Sequence, residues 1–284
     1  MFGPQILARS MSVAVSTGAS RELWQYHPRG DRHSKIACWG VLFDAMRHSA
    51  VLRRHIEAGE VAFGINHEMR DFRVNKKKNL DLVLCKPAAS AKAKNEDFGS
   101  LVARYGIHLS SAESEELARL PQLRQGRVGA VSIALEAKAC MTAHTKAKPR
   151  LFDELNSSHQ TIHGSSSTAI AAGFVMVNFA SEFVSPGRSG YCPHCQHRVA
   201  PVTQHRQPKD AADVISKIRE LPRRSNTAME GFDAVTIVGV DCRNDGSPVE
   251  LVTEAPAPQP GDIFSYESFV HRIVDLYESR FPRT

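Results

Sequence analysis

Apolar residues recur at helical spacing through residues 34–58, SKIACWGVLFDAMRHSAVLRRHIEA. Trp39, Leu42, Met46, Val51 and Ile56 fall roughly on one side, and Gly59 closes the run. Two strands joined by a basic turn follow: VAFGINHEMRDF, the turn-like VNKKKN, then LDLVLCKP. Residues 88–128 hold helical pieces, DFGSLVARYG and SAESEELARLPQLRQG, and read as an insertion. A long apolar strand, GAVSIALEAKACM at 129–141, comes next. PRLFDELNSSHQTIH then places Leu151, Leu155, Ser158 and Ile162 at helical spacing, with Pro149 suited to a first turn, and GFVMVNFAS is another strand.

Further on, DAADVISKIREL reads as a helix and FDAVTIVGVDC as a strand. EAPAPQPGD is a proline-rich spacer, and SYESFVHRIVDLYESRF is a last amphipathic helix. The order helix, strand, strand, strand, helix, strand, with later additions, predicts an α/β fold with a mixed central sheet flanked by helices. The expected organisation is a tail at 1–33, a core at 34–184 interrupted by the insertion 88–128, a basic Cys- and His-containing insertion at 185–230, and a strand and helix at 231–284 that complete the core. The first residues, acidic-poor and without a basic n-region, read as a frayed tail, or as a start placed ahead of Met11.

The strand at 129–141 carries two charges, Glu136 and Lys138. Residues two apart on a strand share a face, so a carboxylate and an ammonium sit side by side on a core element. Charge there is expensive unless paired or used. The strand LDLVL begins with a further carboxylate, Asp81. If the strands of Asp81 and Glu136 are neighbours, two carboxylates and one ammonium converge at one edge of the sheet. A hard divalent cation such as magnesium relieves the repulsion between such carboxylates, polarises a phosphoryl oxygen and acidifies a bound water. The adjacent lysine suits an attacking water or a charged phosphate. The competing reading is a structural Glu136–Lys138 ion pair within a non-catalytic nucleic-acid-binding or interaction module.

Asp81 leading one strand and Glu136-Ala137-Lys138 ending the next resembles the PD-(D/E)XK nuclease superfamily, whose core order also matches residues 34–184. The resemblance implies a restriction-endonuclease-like core and magnesium-dependent DNA endonuclease activity, with manganese as a substitute, in restriction or antiviral defence. It implies Asp81 and Glu136 as metal ligands and Lys138 as the residue assisting the nucleophilic water. Leu80 stands where that family places a proline. A further helix carboxylate is common in the family, and Asp44, Glu57 and Glu60 are the candidates.

Net charge and the remaining motifs alter this picture only at its edges. The formal charge of +6 suits a polyanion such as DNA. Lys76, Lys77 and Lys78 before Asp81, and Arg223 and Arg224, are candidate phosphate contacts, with Lys209, Lys217 and Arg219 beside them. In CPHC, Cys192 and Cys195 with His197 or His205 offer a zinc turn; plain reduced thiols or a redox dithiol are the other readings. His159 and His163 read as a solvated helix face. No apolar stretch approaches a membrane span, and the scattered cysteines suit the cytoplasm. A homodimer is the expectation for an enzyme cutting both strands.

Overall fold

The computed structural model describes residues 1–16, 23–88, 96–186 and 200–282. The chain opens with α1 (Gly3–Met11) and a small ribbon of β1 (Val15–Ser16) and β2 (Leu23–Trp24). Next come α2 (Arg32–His48), α3 (Ala50–Glu57), β3 (Ala62–Asp71) and β4 (Lys76–Pro87). After α4 (Ser100–Tyr105) and α5 (Ser111–Arg119), β5 (Val128–Cys140), α6 (His144–Ser165) and β6 (Ile170–Asn178) form a strand–helix–strand unit. A second ribbon of β7 (Glu182–Val184) and β8 (Val202–Gln204) precedes α7 (Lys209–Arg219). The end of the chain supplies β9 (Ala234–Asp241), β10 (Glu250–Val252) and α8 (Tyr266–Arg280).

Six strands form one mixed sheet in the order β10-β9-β6-β5-β4-β3. The strands β3, β4 and β5 run antiparallel, β3 to β4 through a tight turn and β4 to β5 through the segment that carries α4 and α5, whereas β5, β6 and β9 are parallel. Parallel strands need helices on both faces, which is why β6 is buried along its whole length. One core lies between the sheet and α1, α2 and α8; the other lies beneath α6 and α7. The α/β class and the mixed sheet flanked by helices are as the hydrophobic pattern predicts, including the late strand and helix that complete the core.

Three local expectations need correction. Residues 3–11 are a packed helix and no frayed tail: Ile6, Leu7 and Met11 are fully buried, and Asp44 accepts hydrogen bonds from Phe2 N and Gly3 N at its N-terminus. The long helix expected at 34–58 breaks at Ser49, whose extended backbone and side chain instead cap α3 at Leu52 N. The helix around Pro149 begins a turn earlier than expected, so the proline lies inside α6. Insertion residues 96–125 pack on α2: Trp39 stacks on Phe98 and donates to its carbonyl.

Arg224 is also not what its neighbour Arg223 suggests. Its guanidinium is buried and grips Asp233 through Nε at 2.9 Å and Nη2 at 3.0 Å, so it cannot reach a DNA phosphate. Arg280 and His163 also face Asp233, which receives the Ala171 N–H as well. Despite burial, which pushes the other way, these donors hold the Asp233 pKa far below the ordinary aspartate range. Its stabilising contribution is therefore complete above pH 4 or so and drains only as pH falls toward the depressed value. Removing one partner of such a buried pair strands the other charge. Arg224→Ala should lower unfolding free energy by about 3–5 kcal/mol in a urea titration, whereas Arg223→Ala on the exposed surface should stay within about 0.5 kcal/mol.

Candidate active site

Asp81 sits where the β4–β5 ladder ends. The last paired residues before it are Leu82 and Leu135. Beyond them the Asp81 carboxylate replaces a main-chain acceptor: its Oδ2 takes the Ala137 N–H at 2.9 Å. Strand alternation breaks at the same point. Leu80 belongs to the core under α6 and Leu82 to the core under α2, although residues two apart on a regular strand share a face. On the partner strand, Asn66 has a φ of 51°, between the pairs Ile65–Leu82 and His67–Leu80. This paired irregularity turns Asp81 toward the rim of the sheet.

Glu136 and Lys138 follow from regular alternation on β5 and face α6. Lys138 Nζ lies 2.9 Å from Glu136 Oε1 and 3.7 Å from Glu154 Oε2 on α6. Lys78 reaches the same Glu136 oxygen at 3.7 Å and donates to the Glu154 carbonyl. On the other side of the rim, Lys35 from the first turn of α2 donates to Asp81 Oδ1 at 2.7 Å and to the Asn66 side chain, with Asp31 3.7 Å away. Glu136 and Lys138 are therefore paired, while Asp81 joins Lys138 in lining one cavity and is held by Lys35 and the Ala137 N–H.

The surrounding charges were not anticipated. Lys78, expected on a DNA-facing turn, is an inward-pointing strand residue, because β4 begins four residues earlier than the apolar run. Lys35 and Glu154 reach the site only through packing of α2 and α6. Lys35 stands beside Ile36 and Cys38 in a buried helix face, a signal that would have marked it. Of the candidate helix carboxylates, Asp44 is spent on the start of α1 and on Tyr266, and neither Glu57 nor Glu60 lines the cavity beside the site.

That cavity has a volume of about 600 Å³ and opens between the start of α2, the end of β5 and the first half of α6. Asp81, Lys138 and Glu154 line it, along with Lys146, Arg150 and His33; Glu136 lies behind them, buried. Asn178 ties its floor together, donating to the Met141 and Cys242 carbonyls at the ends of β5 and β9.

Burial is the largest pull on Glu136 and raises its pKa. Lys138 opposes that pull, and nearby Asp81 adds to it. Burial disfavours the Lys138 and Lys35 ammonium groups, but Glu136 and Asp81 outweigh it and both pKa values move up. For Lys78 burial wins over Glu136, and the shift is downward. Burial also holds His33 at about 4 against the pull of Asp81, so it is neutral at pH 7.

No family model, curated protein or solved structure matches the chain. What the site can hold must come from its donors. Among the described residues no group of three or more His, Cys, Asp or Glu is arranged for a metal ion. A cation demanding a full protein cage does not fit. An ion held by Asp81 and Glu136 would have to keep most of its waters, as magnesium does. Glu136 Oε2 is buried and has no hydrogen-bond partner among the described residues, which leaves one acceptor unanswered.

The zinc expectation falls differently. Cys192, Cys195 and His197 lie outside the described residues. His205 has both ring nitrogens engaged, Nδ1 with the Ala180 carbonyl and Nε2 with Thr142, so it is not an open ligand. His159 is buried against Phe232 and bonded to Asn156, and His163 turns toward Asp233; neither forms a solvated face. Cys38, Cys85, Cys140 and Cys242 are buried free thiols. Lys76, Lys77 and Arg223 are exposed; Lys77 pairs with Glu68 at 2.8 Å, and Arg223 stacks 4.8 Å over Phe264.

The Lys35–Asp81 pair can be measured in isolation. Lys35→Met and Asp81→Asn should each destabilise the fold by about 1–3 kcal/mol, and the double variant by clearly less than the sum. Additive losses in a urea-unfolding cycle would mean that the two groups act separately.

Proposed function

We propose that the chain is a magnesium-dependent endonuclease that hydrolyses DNA phosphodiester bonds, with Asp81, Glu136 and Lys138 as its catalytic set. The observation that carries this reading is the buried Glu136 Oε2, without a hydrogen-bond partner among the described residues, behind a cavity that Asp81 and Lys138 line. With α3, α4 and α5 set aside as additions, the order α2, β3, β4, β5, α6, β6 supports it, being the element order of the superfamily that the three residues resemble.

Asp81 and Glu136 would hold the magnesium, or manganese in its place. When bound, the ion supplies a Lewis acid and lowers the pKa of a water. Lys138, kept cationic by Glu136, orients that water or balances charge developing on the phosphate. Lys78 and Lys138 hold Glu136 Oε1, which fixes the carboxylate with its second oxygen turned inward. Lys35 and the Ala137 N–H fix Asp81. Lys146 and Arg150, on the cavity wall, are placed to receive neighbouring phosphates.

A role in restriction or antiviral defence, and a cytoplasmic setting suited to buried reduced thiols, belong to the same proposal. A homodimer would bring two such sites to the two strands. No helix among the described residues is long and apolar enough to cross a membrane.

The competing reading, a DNA-binding module with a structural Glu136–Lys138 pair, takes its support from the 2.9 Å bridge itself. Plasmid cleavage separates the two. The nuclease cuts with magnesium or manganese and not with chelator, and Glu136→Ala or Asp81→Asn reduces cutting by at least about a hundredfold while DNA binding in calcium survives. Binding without cutting under every metal condition would support the module.

A further inference from the structure

The four-residue turn between β3 and β4 presents two large apolar side chains to solvent, Phe72 at 72% exposure and Val74 at 68%. Arg70, Arg73, Lys76 and Lys77 stand around them, all exposed. The tip is firmly mounted. Asp71 beneath it is buried and accepts from the Arg73 backbone N–H and guanidinium. Gly164, at the end of α6, lies so close that a Cβ there would meet the Asp71 carboxylate at 2.1 Å. The Phe72 N–H points to the Gly164 carbonyl at 3.4 Å. Across the turn, Asn75 adopts a left-handed φ of 54° and its side chain accepts from Arg70 Nε at 2.6 Å. Its partner is neutral, so no carboxylate offsets the Arg70 charge in that contact.

A rigid hairpin that holds a phenyl ring and an isopropyl group in water, ringed by cations, suits a partner with an apolar slot between anionic rails. A base step of duplex DNA has that form. Two of the four cations are partly offset within the chain, Arg73 by Asp71 and Lys77 by Glu68 at 2.8 Å, which leaves Arg70 and Lys76 to face a polyanion. We propose that Phe72 and Val74 are a wedge that enters a DNA base step, while Arg70, Lys76 and Lys77 take the flanking phosphates. The inference rests on DNA being the substrate and extends that reading to how the duplex is held. Asp81 lies five residues along β4 from Lys76, about 17 Å at strand spacing. That distance corresponds to about five base steps, so a phosphate held at Lys76 would lie about half a helical turn from the one delivered to Asp81, with the wedge beyond it.

The test uses the full chain in calcium buffer and duplexes carrying 2-aminopurine at several positions. Wild-type protein should raise the fluorescence through unstacking. The surface double variant Phe72→Ala, Val74→Ala should abolish the rise and weaken binding about tenfold with the salt dependence unchanged. Lys76→Ala, Lys77→Ala should do the converse, lowering the salt slope and leaving the rise. A rise that survives the Phe72 and Val74 changes, or binding with no rise at all, overturns the wedge. So does Phe72-dependent sedimentation with phosphatidylserine vesicles in place of DNA. Magnesium-dependent cutting without unstacking would sink the wedge alone; unstacking without cutting would sink the nuclease reading and leave the wedge.

Discussion

The Asp81 carboxylate is the point on which the two halves of the sheet agree. Where the β4–β5 ladder stops, its Oδ2 accepts the Ala137 N–H and its Oδ1 accepts the Lys35 ammonium. One side chain therefore replaces a main-chain acceptor, fixes how β5 leaves its neighbour, and ties α2 to the sheet. The residues after Ala137 lead directly into the cavity and then into α6. If Asp81 were lost from this position, the rim formed by Lys138, Met141 and the start of α6 would lose one of its ties to α2, the Ser34 hydroxyl on the Ala137 carbonyl being another.

Around that anchor the cluster is balanced in an unusual way. Glu136 shares one oxygen between two lysines and leaves the other without a partner. A plain ion pair of the same residues would do better by satisfying both oxygens, since an unpaired buried acceptor costs about 1–3 kcal/mol. Such a group persists where something else answers it. Under the proposed function that answer is a magnesium ion that brings its own waters. The basic hairpin continues the same logic along β4, since one strand carries the tip at one end and Asp81 near its middle.

Much of this arrangement was legible in the residues. The three central charges stood out because they interrupt apolar strands, and strand periodicity alone places Glu136 and Lys138 on one face. The charges contributed by packing did not stand out. Glu154 looks like any exposed helix glutamate until α6 lies across the sheet, and Lys78 looks like part of a basic turn until β4 is seen to start before it. Arg224 and Arg223 are indistinguishable by sequence; Asp233, nine residues on, decides that only one is exposed. Residues 3–11 hid as a tail because their apolar face is short and gains meaning only against α2 and Asp44. In the helix read at 34–58, the break came from Ser49, whose capping oxygen outweighs an otherwise continuous periodicity.

Under the proposed function Asp81 and Glu136 bind a cation together, beyond their ion pairs with Lys35 and Lys138. Calorimetric titration of manganese into the DNA-free chain tests it directly. The account predicts one bound ion per chain for wild type, and loss of that binding in Glu136→Gln with no fall in melting temperature. No binding to wild type, or equal binding by a Glu136→Gln variant that melts early, would contradict it.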